Sequence, residues 1–169
     1  MMAIVLIGFM GAGKTTVGEL LSRKMNIPFI DLDKAIVELE HLSIPEIFEK
    51  FGEAYFRKLE HDVLKTYINK NIIIATGGGI IENPNNMEIL QQNNLNIWVD
   101  ANIDTVYNRI VGDNNRPNAQ NKSFEEIKKL YNSRISRYNE IAYIKVYNEH
   151  DVTLSVQEIH NQIMTDDEN

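Results

Sequence analysis

The chain has 169 residues, a formal net charge of −7, 43% hydrophobic residues and no cysteine. This length suits one domain with a real core, and the lack of cysteine excludes disulfides, thiolate metal sites and cysteine nucleophiles. The acidic balance argues against nucleic-acid binding, and no apolar run approaches the ~18 residues of a membrane span. Residues 1–8 have neither a basic leader nor a cleavage site, so we expect one cytoplasmic, monomeric domain over residues 1–169.

Strand-like and helix-like patterns alternate along the chain, without a repeat or an obvious linker. Continuous apolar runs indicate strands that are buried on both faces, and apolar residues three or four apart indicate helices. In chain order, the pattern predicts a strand at 3–7, a helix at 14–25, a strand at 28–31, helices at 35–40, 44–51 and 56–67, a strand at 72–75, a helix at 87–92, a strand at 95–99, a helix at 103–110, a helix from 123 to 141, a strand at 143–147 and a helix around 155–163. Three Ser-x-x-Glu sequences predict capping boxes at helix starts, namely Ser43–Glu46, Ser123–Glu126 and Ser155–Glu158.

Five strands separated by helices predict an α/β fold with a parallel sheet and right-handed crossovers. In such sheets ligands bind beyond the carboxyl ends of the strands. Functional residues are therefore expected directly after predicted strands, or on helices that reach the same edge.

Residues 8–15 match the phosphate-binding pattern G-x-x-x-x-G-K-[ST], between a buried strand and an amphipathic helix. The glycines allow the backbone to curl so that its N–H groups point at phosphate oxygens, and the positive end of the helix dipole points to the same place. Lys14 can reach the β- and γ-phosphates, and the Thr15 hydroxyl can bind Mg²⁺. The residues predicted to bind the nucleotide here are Gly11, Ala12, Gly13, Lys14, Thr15 and Thr16.

This motif alone does not select a reaction, because GTPases, motor ATPases and small-molecule kinases share it. No N-K-x-D sequence of the kind that reads guanine is present. Residues 97–100, Ile-Trp-Val-Asp, could form a Walker B strand, although apolar strands that end in aspartate are common.

Two carboxylates follow the second predicted strand. Asp31 and Asp33 are two residues apart, so in an extended segment they share a face. One could hold Mg²⁺ through water, and the other could bind an acceptor hydroxyl and orient or deprotonate it. Alternatively, Asp33 only caps the following helix.

Two arginines are candidates for binding a carboxylate. Arg134 interrupts an apolar helical stripe, so its charge is either buried and paired or faces a cleft. Glu60 lies three residues after Arg57 and can brace it on one helix face. Guanidinium groups bind carboxylates through two parallel hydrogen bonds, but a pair of structural salt bridges is the alternative.

Further candidates lie in loops. Residues 77–79 are three glycines after a buried strand, which we interpret as close approach of a ligand to the backbone, with a flexible turn as the alternative. Residues 112–122 form a polar loop typical of a lid, from which Arg116 could neutralise charge on a transferred phosphoryl group or simply be solvated. Arg109 could stack on adenine.

In this order and spacing, these features resemble the shikimate kinase family over nearly the whole chain. The matching sequences are residues 8–15, Asp31-Leu32-Asp33, Phe56-Arg57-Lys58-Leu59-Glu60, Gly77-Gly78-Gly79, Arg116-Pro117, and Arg134 four residues before Tyr138. The resemblance implies a three-layer αβα P-loop NTPase fold with sheet order 2-3-1-4-5 and a lid loop. It also implies ATP- and Mg²⁺-dependent phosphorylation of the 3-hydroxyl of shikimate, in aromatic amino-acid biosynthesis.

The resemblance also implies a role for each matching residue. Asp33 would hold the reacting hydroxyls and serve as base, and Lys14 and Arg116 would stabilise the transferred phosphoryl group. An acceptor-binding segment over 33–62 and its neighbours would hold shikimate, with its carboxylate on Arg57, Arg134 and the backbone of Gly78 and Gly79, and its ring against Phe48 and Phe56. Thr15 and Asp31 would support Mg²⁺, while Arg109 and the stretch around Asn148 would contact adenine. The chain departs from many family members in having Asn118-Ala119 after Arg116-Pro117 instead of two leucines, which puts the packing of the lid in question.

Two other classes of function fit the same residues. One is another small P-loop kinase, such as a gluconate or nucleoside monophosphate kinase. The other is a non-catalytic ATP-binding regulator, which would bind ATP without acceptor-dependent turnover.

Overall fold

The computed structural model describes residues 2–111, 113, 116–117, 119 and 121–167. Five strands lie within these residues: β1 (Ile4–Ile7), β2 (Phe29–Asp31), β3 (Ile73–Ala75), β4 (Asn96–Asp100) and β5 (Ile144–Tyr147). The helices are α1 (Lys14–Met25), α2 (Leu32–Glu40), α3 (Ile44–Phe51), α4 (Glu53–Tyr67), α5 (Pro84–Gln91), α6 (Ile103–Ile110), α7 (Phe124–Ile141) and α8 (Val152–Asp167), and a 3-10 turn covers Ile80–Glu82.

The strands form one parallel sheet in the order β2-β3-β1-β4-β5, which confirms the predicted order. Central strand β1 is buried along its whole length, with Leu6 in register with Ala75 of β3 and Ile97 of β4. A strand that is covered on both faces needs no polar alternation, which explains its continuous apolar sequence.

Each face of the sheet has its own core. Val5 and Ile7 of β1 point to the side covered by α2 to α7, while Ile4 and Leu6 point to the side covered by α1 and α8. Neighbouring residues of a strand face opposite ways, so the four residues of β1 supply both cores. The result is the three-layer αβα arrangement expected from the sequence.

Four helices begin three residues before the position that the apolar pattern predicts: α2, α4, α5 and α8. In α5 the first turn is polar, because its free N–H groups are satisfied by capping side chains, so it lies outside the apolar stripe. Asn83, for example, caps α5 by accepting a hydrogen bond from the Asn85 N–H. In α2 the first residue is the buried Leu32, which the sequence pattern had left outside the helix.

Two of the three predicted capping boxes are confirmed, at Ser43–Glu46 and Ser123–Glu126. The third prediction was wrong. Ser155 lies inside α8 and is buried, and its hydroxyl donates to the Asn148 Oδ1 at 3.3 Å. Asp151 instead accepts from the Thr153 N–H at the start of this helix, at 2.9 Å. Among the described residues, no helix combines the length and apolar character needed to cross a membrane.

Candidate active site

The phosphate-binding loop connects β1 to α1 at the carboxyl edge of the sheet. Gly13 directly precedes α1 with φ +94°, a conformation that residues with a side chain rarely adopt. A Cβ on Gly13 would also lie 2.3 Å from the Asn148 Nδ2, so both conformation and space require glycine there. The N–H groups at the start of α1 are thereby left open to the cleft that Gly13 lines.

Lys14 lies folded into this loop. Its Nζ donates to the backbone oxygens of Gly8 at 2.8 Å and Phe9 at 2.9 Å, and the residue is 8% exposed. Burial, with a smaller contribution from the Arg116 charge, lowers the pKa of Lys14 to about 7. Negative phosphates in the cleft would favour the charged form and raise that pKa again.

Thr15 and Asp31 meet beside the loop. The Thr15 hydroxyl donates to Asp31 Oδ2 at 2.5 Å, while Asp31 Oδ1 accepts from the Lys34 N–H at 3.1 Å and caps α2. The alternative in which Asp33 is the cap was therefore wrong, because Asp33 lies in the first turn of α2 and the cap is Asp31.

Asp33 instead faces the cleft. Its Oδ1 is buried and lacks a hydrogen-bond partner within the described part of the chain. Burial, and then the Asp31 charge, raise the pKa of Asp33 to about 6, against the opposing charges of Lys14 and Arg116. An unpaired carboxylate oxygen next to the phosphate cradle is suited to accept a hydrogen bond from a substrate hydroxyl.

The cleft has two connected parts. The larger, of about 620 Å³, lies over the loop, and the smaller hollow of about 60 Å³ lies beside it. The residues that line both are Asp33, Ile44, Gly77, Gly78 and Arg116. The hollow is closed further by Met10, Phe48, Phe56, Arg57, Glu60, Gly79, Pro117 and Arg134, so the predicted acceptor residues lie together. The rings of Phe48 and Phe56 are 5.1 Å apart, centroid to centroid.

Arg57 is held by two glutamates on its own helix. Its Nη1 donates to Glu60 Oε1 at 2.6 Å and its Nη2 donates to Glu53 Oε1 at 3.0 Å, so the predicted brace by Glu60 is confirmed. Glu60 is fully buried, its Oε2 has no partner among the described residues, and burial raises its pKa in spite of the Arg57 charge. The sequence interpretation missed Glu53, although its spacing four residues before Arg57 is a recognisable helical pair.

Arg134 is 3% exposed, and only part of its guanidinium group has a hydrogen-bond acceptor. Its Nε donates to Glu82 Oε1 at 2.8 Å, whereas no hydrogen-bond partner for its Nη1 occurs in the described ranges. The sequence allowed two possibilities for Arg134, a buried ion pair or a position facing a cleft. The structure shows both, because Arg134 pairs with Glu82 and also lines the hollow. A buried guanidinium with a free donor is a strong site for an anion. Glu82 had no signal in the sequence, since it lies in a different element from Arg134.

The three glycines are explained first by packing within the protein. A Cβ on Gly77 would lie 2.9 Å from Glu60 Oε2, one on Gly78 would lie 2.8 Å from the Met10 backbone nitrogen, and one on Gly79 would lie 2.4 Å from Arg57 Nη1. Packing within the protein thus accounts for glycine at these positions, and the close approach of a ligand to this backbone stays a prediction. Glycine here lets carboxylate and guanidinium groups lie directly on the backbone that lines the hollow.

Two further arginines reach the larger part of the cleft. Arg109 donates to the backbone oxygens of Gly11 at 3.0 Å and Asn148 at 2.9 Å. Arg116 donates from Nε to Asp113 Oδ2 at 2.7 Å and lines both parts. Of the predicted lid, Gly112, Asn114, Asn115, Asn118 and Gln120 lie outside the described residues.

Asp100, at the end of the Walker-B-like stretch, has other contacts. Its Oδ1 accepts from the Tyr131 hydroxyl at 3.0 Å, and Lys145 Nζ lies 3.4 Å from its Oδ2. Asp100 thus links β4 to α7 and β5, and its carboxylate is occupied by these groups. The Thr15–Asp31 pair lies nearer the loop and is the better candidate for a metal.

A phosphate-binding loop that shares one cleft with a hollow lined by arginines, on a parallel sheet in this order, is the arrangement of a small-molecule P-loop kinase. The family model for shikimate kinase matches residues 10–166. The chain belongs to the shikimate kinase family.

Individual relatives agree. The chain is 62% identical to a shikimate kinase of Macrococcus caseolyticus over 99% of this chain and 100% of that protein, and 49% identical to one of Staphylococcus aureus over 95% and 91%. Among solved structures, shikimate kinase from Acinetobacter baumannii in complex with shikimate superposes with a TM-score of 0.92 at 32% identity, covering 98% of this chain and 94% of that one. Shikimate kinase from Aquifex aeolicus gives a TM-score of 0.86 at 42% identity, covering 98% of each chain.

A more distant neighbour shares the fold alone. Deoxyadenosine kinase from M. mycoides gives a TM-score of 0.66 at 18% identity, covering 97% of this chain and 100% of that one.

Proposed function

We propose that this protein transfers the terminal phosphoryl group of ATP to the 3-hydroxyl of shikimate, in the pathway to chorismate and the aromatic amino acids. The observation that carries the proposal is the hollow next to the phosphate loop. There, a donor of Arg134 and an acceptor of Asp33, each without a partner among the described residues, line one space. A small molecule with a carboxylate at one end and hydroxyls at the other would satisfy both groups.

Arg57 and Arg134 hold the substrate carboxylate, together with the backbone of Gly78 and Gly79. The two guanidinium groups are fixed by Glu60 and Glu82 before substrate arrives, so little conformational freedom is lost on binding. Phe48 and Phe56 provide an apolar wall for the ring. Anchoring the acid end determines which hydroxyl reaches the phosphate loop.

Asp33 receives that hydroxyl. With a pKa of about 6, its carboxylate is mostly ionised near neutral pH and can accept the hydroxyl hydrogen bond. As the oxygen attacks phosphorus in line with the leaving ADP oxygen, the hydroxyl proton passes towards Asp33. Lys14 and Arg116 stabilise the negative charge on the transferred group, which is where most of the rate enhancement in phosphoryl transfer arises.

The nucleotide lies on Gly11, Ala12, Gly13, Lys14, Thr15 and Thr16, with Arg109 at the adenine. Thr15 and Asp31 present hard oxygen donors side by side, which suits Mg²⁺, since this ion takes one or two protein oxygens with phosphate oxygens and water. When bound, Mg²⁺ neutralises phosphate charge and fixes the geometry of the triphosphate. We further propose that residues 1–169 act as one cytoplasmic, monomeric kinase domain, with a lid around 112–122 that excludes water from the reacting phosphate.

The decisive experiment measures ADP release with ATP, Mg²⁺ and shikimate against a control without acceptor, and locates the phosphate on the product by phosphorus NMR. Gluconate and nucleoside monophosphates serve as competing acceptors. Turnover that depends on shikimate, with phosphate at the 3-position, is the expected result. Faster turnover with gluconate or a nucleotide would identify another small kinase, and ATP binding without turnover would identify a regulator.

A further inference from the structure

Asn148, directly after β5, uses all of its polar groups within the protein. The residue is 5% exposed. In the backbone of Asn148, the N–H donates to the backbone oxygen of Asp100 at 2.8 Å, and the carbonyl oxygen accepts from Arg109 Nη2 at 2.9 Å. In its side chain, Nδ2 donates to the backbone oxygen of Ala12 at 2.9 Å, and Oδ1 accepts from the Ser155 hydroxyl at 3.3 Å. A buried side-chain amide with hydrogen bonds at both its nitrogen and its oxygen holds the elements that it connects in a fixed arrangement.

The bond from Asn148 to Ala12 acts on one peptide unit of the phosphate loop. The Ala12 C=O and the Gly13 N–H belong to the same planar trans peptide and therefore point in opposite directions. When Asn148 holds the carbonyl, the N–H of Gly13 is directed away from Asn148, towards the cleft that Gly13 lines. The side chain thus orients a phosphate-binding donor that it does not touch.

Gly13 and Asn148 also depend on each other sterically. A Cβ on Gly13 would overlap the Asn148 Nδ2 at 2.3 Å, so the amide occupies the space that the glycine leaves free. The Ala12 backbone oxygen fixes the orientation of the amide, because a carbonyl oxygen accepts only from Nδ2. The Ser155 hydroxyl, 3.3 Å from both Asn148 Oδ1 and the Tyr147 backbone oxygen, supports the same orientation. Arg109 adds a second link, since it bonds both the Gly11 and the Asn148 backbone oxygens.

We propose that Asn148 is a positioning residue for the nucleotide phosphates, which sets the orientation of the Ala12–Gly13 peptide and anchors Arg109 against the loop. The inference rests on the proposed binding of the triphosphate by residues 8–15. It assigns the Asn148 side chain to the phosphate loop, because the side-chain Nδ2 donates to the backbone oxygen of Ala12 within that loop. Loss of one hydrogen bond to a charged phosphate corresponds to about tenfold in affinity.

The test compares ADP and AMP binding by calorimetry in the whole protein and in Asn148→Ala. The variant introduces no charge near the phosphates but leaves the Ala12 carbonyl without its donor. We expect the Kd for ADP to rise about tenfold, the Kd for AMP to change by less than about threefold, and the KM for shikimate to stay within about twofold. An equal loss for ADP and AMP would indicate an adenine contact and overturn the proposal, as would an unchanged Kd for ADP.

The matched control is Asn93→Ala. Asn93 is also a buried asparagine, 4% exposed, and its Nδ2 also donates to a backbone carbonyl, that of Ala3 at 3.2 Å, but it lies at the opposite edge of the sheet. Its replacement should lower the melting temperature without changing the ratio of the two affinities. A similar change of that ratio in Asn93→Ala would show that general destabilisation is responsible and overturn the proposal.

Amide NMR gives a readout that persists in a destabilised protein. In the wild type, ADP should shift the Gly13 amide resonance strongly, and in Asn148→Ala or Ser155→Ala that shift should shrink. An undiminished Gly13 shift in both variants would contradict the inference. Failure of the wild type itself to bind ADP would instead remove the proposed function, so the two failures are distinguishable.

Discussion

The hydroxyl of Tyr138 donates a hydrogen bond to the backbone oxygen of Gly78. Tyr138 is fully buried on α7, and Gly78 lines both parts of the cleft. Because the Gly78 carbonyl is held on the side of α7, the N–H of Gly79 in the same peptide points the opposite way. The buried Tyr138 thus determines the direction in which the Gly79 N–H points in the hollow proposed to bind the acceptor substrate.

Tyr138→Phe should therefore weaken acceptor binding without unfolding the protein, since phenylalanine fills nearly the same volume. We expect the KM for shikimate to rise about fivefold to tenfold, while the KM for ATP stays within about twofold. Steady-state kinetics with each substrate varied measure both values. Tyr131→Phe is the matched control, because Tyr131 lies on the same helix and donates to a buried acceptor, Asp100, outside the hollow. A shikimate KM that is unchanged in Tyr138→Phe would contradict the role of this tyrosine.

Arg57→Lys should show that the shape of the guanidinium matters as well as its charge. Lysine keeps the positive charge but loses the planar fork that binds a carboxylate through two bonds. The expected result is a rise of about tenfold or more in the KM for shikimate, with nucleotide affinity preserved. Arg137→Lys provides the comparison, because Arg137 bonds Glu82 but does not line the hollow. Equal effects of the two substitutions would exclude a special role for Arg57.

Gly79→Ala should damage the same site through space alone. Gly79 has φ −91°, which alanine adopts readily, but its Cβ would lie 2.4 Å from Arg57 Nη1. Moving the guanidinium breaks its bond to the fully buried Glu60 and also removes it from its position in the hollow. We therefore expect the KM for shikimate to rise severalfold and the free energy of unfolding to fall by roughly 1–3 kcal/mol. An unchanged KM for shikimate would show that the glycine serves the fold and not the site.

Asp33→Asn should reduce turnover by about a hundredfold or more, the usual effect of removing a positioned base. The amide can still accept a hydrogen bond from the hydroxyl but cannot take its proton. Single-turnover measurements of phosphoryl transfer would test this directly. Asp151→Asn, at the exposed start of α8, serves as the control for an aspartate that only caps a helix. Near-normal turnover in Asp33→Asn would show that this carboxylate does not act on the reacting hydroxyl.

The same substitution should stabilise the ligand-free protein, and more so at high pH. The pKa of Asp33 is raised from 3.8 to about 6 in the folded protein, so its ionised form is less favourable there than in the unfolded chain. This cost is absent below the unfolded pKa, grows as pH rises, and is complete above the folded pKa. Asp33→Asn should therefore gain on the order of 1–3 kcal/mol near about pH 8 and almost nothing near about pH 4.

Thermal unfolding of both proteins across this pH range measures the difference. A gain of the same size at all pH values would show that the stabilisation comes from packing and not from the buried charge. A loss of stability at high pH would show that the folded protein favours the ionised carboxylate.

Local features of the site could be recognised in the sequence because each is encoded by neighbours. The phosphate loop is one run, residues 8–15, and its residue types follow from the conformation and chemistry that a phosphate cradle needs. Arg57 and Glu60 share a helix face, so their spacing predicted the pair. Asp31 and Asp33 both line the cleft, but they do not share a face of an extended segment as predicted, because Asp31 ends β2 and Asp33 lies in the first turn of α2. The assignment of the cap to one of the two aspartates failed, because both fit the same local pattern.

The contacts that prepare the site join residues far apart in the chain. Glu82 and Arg134 are separated by 52 residues, Gly78 and Tyr138 by 60, and Ala12 and Asn148 by 136. No periodicity records such pairs, which explains why Glu82 was missed and why the three glycines were assigned to a ligand before their own neighbours were known. By itself the sequence determined the strand-helix alternation, the nucleotide loop and the candidate acid, base and guanidinium groups. The tertiary structure alone decided which donors and acceptors remain free in the hollow, because burial and pairing depend on elements that meet only when the sheet and its two helical layers assemble.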